Sequence, residues 1–178
     1  MPGQIVCTML LTHDAASCCQ REDSHRMDDL VQLNRRIAKH WLGSLNADQA
    51  EYLRYATICL GQFTHSAAEL SGFLACAKQE HLNSLSVAKL NRQYLRFARL
   101  AAKDVAAGKF EMLIRLGITL EQGEVLGNLT NLALNRLAFG WNGPIIRFAT
   151  PAFERGAALH VRAARYHATA FVAIRLPA

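Results

Sequence analysis

Residues 85–108 read LSVAKLNRQYLRFARLAAKDVAAG, with Ser84 immediately ahead of them. Leu90, Tyr94, Phe97, Ala101 and Val105 recur there at steps of 4, 3, 4 and 4, so they share one face of a 3.6-residue repeat. The pattern predicts a long amphipathic helix that opens after Ser84 and closes at Gly108, the central core element of the chain. No proline stands between Pro2 and Pro144, and Ala plus Leu outnumber Val, Ile and Thr more than two to one. Prolines break helix interiors and β-branched side chains favour the pleated surface, so both facts point to helix. The predicted fold class is all-α, a compact multi-helix bundle.

Working outward, Leu30, Leu33, Ile37 and Trp41 predict a helix over Asp28–Leu42, stopped by Gly43. A second helix is expected over Ala47–Leu60, ending at Gly61. A third is expected over Ser66–His81, opened by Ser66 and Glu69 in capping-box spacing. Downstream, Phe110–Leu116 ends at Gly117, Thr119 with Gln122 forms another capping box, and Thr130 caps a helix reaching Phe139. The pentapeptide GWNGP at 140–144 is a breaker. Leu159, Ala163, Tyr166 and Ala170 then predict a last helix over Glu154–Ile174.

This organisation divides the chain into a poorly ordered extension at 1–26, a helical unit at 27–84, a second at 85–150 and a basic C-terminal helix at 151–178. A faint repeat links the middle two. LNRR begins at Leu33 and LNRQ at Leu90; each leads to an LG dipeptide, at Leu60 and Leu116, then to a cap and the pairs Leu70/Leu126, Phe73/Leu129 and Ala77/Ala133. Two related helical hairpin units would explain it, and so would the periodicity that amphipathic helices share by chance.

The 178 residues carry 20 Lys plus Arg against 14 Asp plus Glu, a formal net charge of +6, and 51% hydrophobic residues. That is a globular composition, neither disordered nor membrane-embedded. The most apolar stretch, Ala56–Ala77, is interrupted by Gln62, Thr64, His65, Ser66 and Glu69, so no membrane association is expected. The opening MPGQIVCTMLLTHDAASCC lacks a basic leader region and is broken by His13 and Asp14, which argues against export. Five cysteines, Cys7, Cys18, Cys19, Cys59 and Cys76, form no CxxC pair and fit a reducing cytoplasm. Cys59 and Cys76 fall within predicted helices, where a thiol acts as a small hydrophobe.

No phosphate-binding Gly loop, HExxH, GxSxG or paired-carboxylate signature is present. The expectation is a protein without catalysis, cofactor or metal. His160 and His167 lie on one predicted helix but lack a third ligand. An enzyme whose His and Cys groups meet only in the fold is the weakest of the readings left open.

Charge is more telling when located. From Asn135 onward the chain has six arginines and one acid, Glu154. The candidate DNA- or partner-binding residues are Arg136, Arg147, Arg155, Arg162 and Arg165. Of these, Arg155, Arg162 and Arg165 fall within an arc of about 80° on the last helix. Such a stripe suits phosphates or an acidic protein surface, and equally a solvated arginine face.

Five blocks between Leu90 and Phe148 resemble the bacterial flagellar transcriptional regulator FlhD family. They are Leu90, Asn91, Tyr94, Leu95 and Ala98; Arg115–Ile118, reading RLGI; Leu126, Leu129 and Thr130; Leu137 and Ala138; and Arg147 with Phe148. The Asn91–Gly117 interval is slightly longer than in the family, and the first 85 or so residues have no counterpart there. Ile145 and Ile146 stand where familiar members carry a subunit-linking cysteine. The resemblance implies a helical, homodimerising subunit that activates transcription together with a zinc-bearing partner, FlhC, through which much of the DNA contact is made. The alternative reading is an α-helical protein–protein adaptor without a nucleic-acid role.

Overall fold

The computed structural model describes residues 8–76 and 82–158. Its elements are α1 (Thr8–Leu42), α2 (Ala47–Tyr52), β1 (Gly61–Phe63), α3 (Ala67–Ala75), α4 (Leu85–Val105), α5 (Glu111–Arg115), α6 (Leu120–Gly127), α7 (Asn131–Gly140), β2 (Ile146–Phe148) and α8 (Thr150–Ala158). None of the described helices is long and apolar enough to cross a membrane.

The predicted central helix is α4. The Ser84 hydroxyl accepts the Val87 N–H, and Leu90, Tyr94, Phe97 and Ala101 are buried, with Val105 half-buried at the end. This face packs mainly on α6 and α7 and only lightly on α1. One hydrophobic cluster runs from Leu30 and Leu33 of α1 through Leu95 and Leu126 to Phe153 of α8, across the expected boundary at 84/85.

Most predicted ends are where local chemistry put them. Ser66 with Glu69 and Thr119 with Gln122 form reciprocal capping boxes, and the Thr130 hydroxyl accepts the Ala133 N–H. Gly43, Gly108 and Gly117 take φ values of 74°, 77° and 65°, the left-handed region that ends a helix without Cβ strain. Two helix starts lie upstream of expectation. The segment predicted from Asp28 is the C-terminal part of α1, which begins at Thr8, and α8 begins at Thr150, with Pro151 in its first turn where no N–H is needed. The helix expected to reach His81 ends as α3 at Ala75, with Cys76 already extended, so Cys76 is not inside a helix; residues 77–81 and those beyond 158 lie outside the described residues.

The all-α expectation needs one correction, because the fold is mostly helical but holds a small sheet. The helix expected over Ala47–Leu60 stops at Tyr52, and the chain turns and runs extended into β1. β1 pairs antiparallel with β2, Gly61 opposite Phe148, Gln62 opposite Arg147 and Phe63 opposite Ile146. Gly61 therefore ends no helix. A Cβ there would meet Ile146 Cδ1 at 2.6 Å and Ile37 Cδ1 at 3.0 Å, so its bareness lets the strand seat against α1 and β2. Cys59, expected in a helix, lies in the extended approach to β1.

Among the described residues only Asn34 and Asn91 are polar and buried. Asn34 Nδ2 donates to the Ile58 carbonyl (2.9 Å), and its Oδ1 accepts the Leu60 N–H (2.8 Å). Asn91 Nδ2 donates to the Gly143 carbonyl (3.0 Å), and its Oδ1 accepts the Ile145 N–H (2.8 Å). Each asparagine thus grips a carbonyl and the N–H two residues later, just before a strand begins. Both come from the LNR motif that opens the apparent repeat. The LG dipeptides of that repeat do not correspond: Leu60–Gly61 enters a strand, whereas Leu116–Gly117 forms a left-handed turn.

Candidate functional site

The five arginines singled out in the sequence are dispersed or undescribed. Arg136, on α7, donates to the Cys76 carbonyl at the end of α3, which gives it a structural tie. Arg147 is exposed in β2. Arg155 is exposed on α8, its Nε donating to the Pro151 carbonyl at 3.1 Å. Arg162 and Arg165 lie outside the described residues. The three described arginines stand on three separate elements.

A denser set of cations lies between α1 and α4. The two helices run antiparallel, Asp29 beside Phe97 and Leu100 at one end and Gly43 beside Ser86 at the other. Two depressions of about 390 and 430 Å³ follow their junction and share Arg36 as a wall. Lys89, Arg92 and Arg96 recur at steps of 3 and 4 along α4, and Arg36 and Lys39 at a step of 3 along α1, so each set forms a stripe on its helix. All five are exposed. Beneath them Leu33 and Phe97 are almost wholly buried, while Leu100 is 52% exposed.

The electrostatics of this groove are one-sided. Asp29, at one end, is the carboxylate in its lining. None of the five cations takes an ion-pair partner among the described residues, whereas Arg26 pairs with Asp104 and Arg115 with Glu111. Arg99, further along α4, is tied to the Leu129 carbonyl (3.1 Å) and Asn131 Oδ1 (2.9 Å). Like charges held near one another without counter-charges raise the local positive potential and favour an anionic partner. Gln93, also in the lining, has its Oε1 buried with no hydrogen-bond partner among the described residues.

Sequence reasoning missed this groove because it located charge by segment. Arg92 directly follows Asn91 in the LNR motif, whereas Arg36 lies one residue past the motif's Arg35, so the repeat did not single out the pair. In the linear sequence Asp28 and Asp29 offset Arg35 and Arg36, and Asp104 offsets Lys103; in the fold Asp104 pairs instead with Arg26.

The remaining reactive groups are subdued. Burial pushes the Cys59 thiol up to about 12, against the lesser effect of the Gly61 N–H that donates to its Sγ. A thiol held neutral is a poor nucleophile. His65 packs against Trp141 and Phe63, with ring centroids 4.4 and 5.8 Å away; burial lowers its pKa and the Glu69 carboxylate offsets part of that. Among the described residues no three His, Cys, Asp or Glu side chains gather in a way that would hold a metal ion.

Comparison of the chain with protein families, curated proteins and solved structures finds no match.

Proposed function

We propose that the chain is a FlhD-like transcription regulator, a cytoplasmic helical subunit that dimerises and acts with a FlhC-like partner to activate flagellar or related genes. The observation that supports this reading is the work done by the residues of the resemblance. Leu90, Tyr94, Leu95, Ala98, Leu126, Leu129, Leu137, Ala138 and Phe148 are all buried in one core. Asn91 ties α4 to the loop entering β2, Gly117 makes the left-handed turn, and Thr130 caps α7. The likeness thus rests on residues that determine a fold, at spacings that the fold needs.

The test is to mix the purified chain with a FlhC-like subunit and a promoter fragment, then follow complex formation by light scattering and DNA retention by gel shift. A joint complex is expected whose DNA affinity falls steeply with salt. Replacing Arg155, Arg162 and Arg165 by Ala is expected to flatten that slope. A chain that leaves both partner and DNA unbound refutes the reading. The alternative is an adaptor without a nucleic-acid role. It predicts the same partners in a pull-down with and without nuclease.

A further inference from the structure

We propose that the groove between α1 and α4 docks an acidic, apolar-anchored helical segment of a partner protein. This does not depend on the regulatory reading above, since it rests on the groove alone.

The walls supply the charge argument. Arg36, Lys39, Lys89, Arg92 and Arg96 point to an anionic occupant, and the one carboxylate in the lining, Asp29, is confined to an end. The floor supplies the second argument. Leu33 and Phe97 close it, and Leu100 stands half out of it, offering an aliphatic surface that α1 does not cover. A phosphodiester backbone gains nothing from such a floor, because its contacts are polar and its charge is met by the cations alone. A peptide helix with apolar residues at i, i+3, i+4 and i+7 uses both, leucine-like side chains against Leu100 and Phe97 and flanking carboxylates toward the arginines.

Length fits as well. The stretch of α4 from Ser86 to Leu100 that lines the groove rises about 21 Å at 1.5 Å per residue, so a helix of about four turns fills it.

The probe is a fluorescein-labelled synthetic peptide of about 15 residues, Leu at i, i+3, i+4 and i+7 and Glu at most other positions. It is titrated with the full chain by fluorescence anisotropy. Beside it run a peptide with Lys for Glu, one with Ser for Leu, and a labelled DNA duplex. Saturable binding is expected for the acidic, leucine-bearing peptide, with at least about tenfold weaker binding by the Ser peptide and none by the Lys peptide. The pair Arg92→Glu and Arg96→Glu is expected to weaken it about tenfold or more, and Leu100→Asp likewise, while Arg54→Glu, exposed after α2, leaves it unchanged. Circular dichroism checks each variant. Should the double reversal not fold, Arg92→Gln with Arg96→Gln is expected to weaken binding several-fold instead. Equal binding of the Ser peptide overturns the apolar anchoring. DNA binding lost on reversing Arg92 and Arg96, with the peptide unbound, assigns the groove to nucleic acid and overturns the proposal. Absence of saturable peptide binding overturns it outright.

Discussion

Replacing Asn91 by Leu keeps the branch at Cγ and removes every hydrogen bond it makes. The Ile145 N–H loses its acceptor at 2.8 Å and the Gly143 carbonyl its donor at 3.0 Å. Ala138, whose carbonyl also meets Asn91 at 3.3 Å, is still served by Asn83 Nδ2 at 3.1 Å, so two backbone groups are orphaned rather than three. Ile145 is 0% exposed, so water cannot substitute there. A buried backbone group without a partner costs about 1–3 kcal/mol, and the added apolar burial of Leu returns part of that, leaving a net loss of about 3 kcal/mol. For a domain of this size, that lowers Tm by about 6–12 °C. Urea unfolding followed by circular dichroism measures the loss, and amide exchange of Ile145 should accelerate. An Asn91→Leu variant within about 1 kcal/mol of the parent refutes the clamp. Asn91→Asp gives a pH test. Burial among carbonyls raises that carboxyl's folded pKa above the unfolded value of about 3.9, so the variant is least destabilised below that value and loses stability as pH rises.

Other substitutions probe separate parts of the fold. A Cβ on Gly156 would lie 2.6 Å from Tyr52 Oη and 2.7 Å from Cε2, so Gly156→Ala should destabilise the α2–α8 contact by about 1–3 kcal/mol despite its better helix propensity, read as a lower urea midpoint. Thr119→Ala removes the acceptor for the Gln122 N–H (3.2 Å) and should cost about 1 kcal/mol, or about 2–4 °C in Tm. Peptide mapping after iodoacetamide should find exposed Cys76 alkylated in the native protein and Cys59 protected until denaturant is added. The raised Cys59 pKa sets a sign. The folded state keeps the proton that the unfolded state sheds, so this contribution is intact below about 9.0 and is lost as pH climbs toward about 12. A Cys59→Ala variant should lose that part of the alkaline dependence.

Legibility in the sequence followed the range of the interactions. The capping boxes at Ser66 and Thr119 and the cap at Thr130 were readable because each joins a side chain to a backbone N–H three residues away. The buried stripe of α4 was readable because periodicity alone puts those side chains on one face. Gly61 was misread because a glycine after an apolar run signals a helix end and a close packing point alike. What separates the two is Ile146, which lies far along the chain.

The same rule divides the candidate site. Sequence alone determined that the chain is mostly helical and where most helices start and stop, since these follow from contacts within a turn or two. Only the tertiary structure decided that β1 and β2 pair, that Asn34 and Asn91 are buried clamps, and that the α4 stripe faces Arg36 and Lys39 across an apolar floor. Each of these joins groups distant in sequence. Their meeting is set by how the whole core packs, which no local spacing encodes.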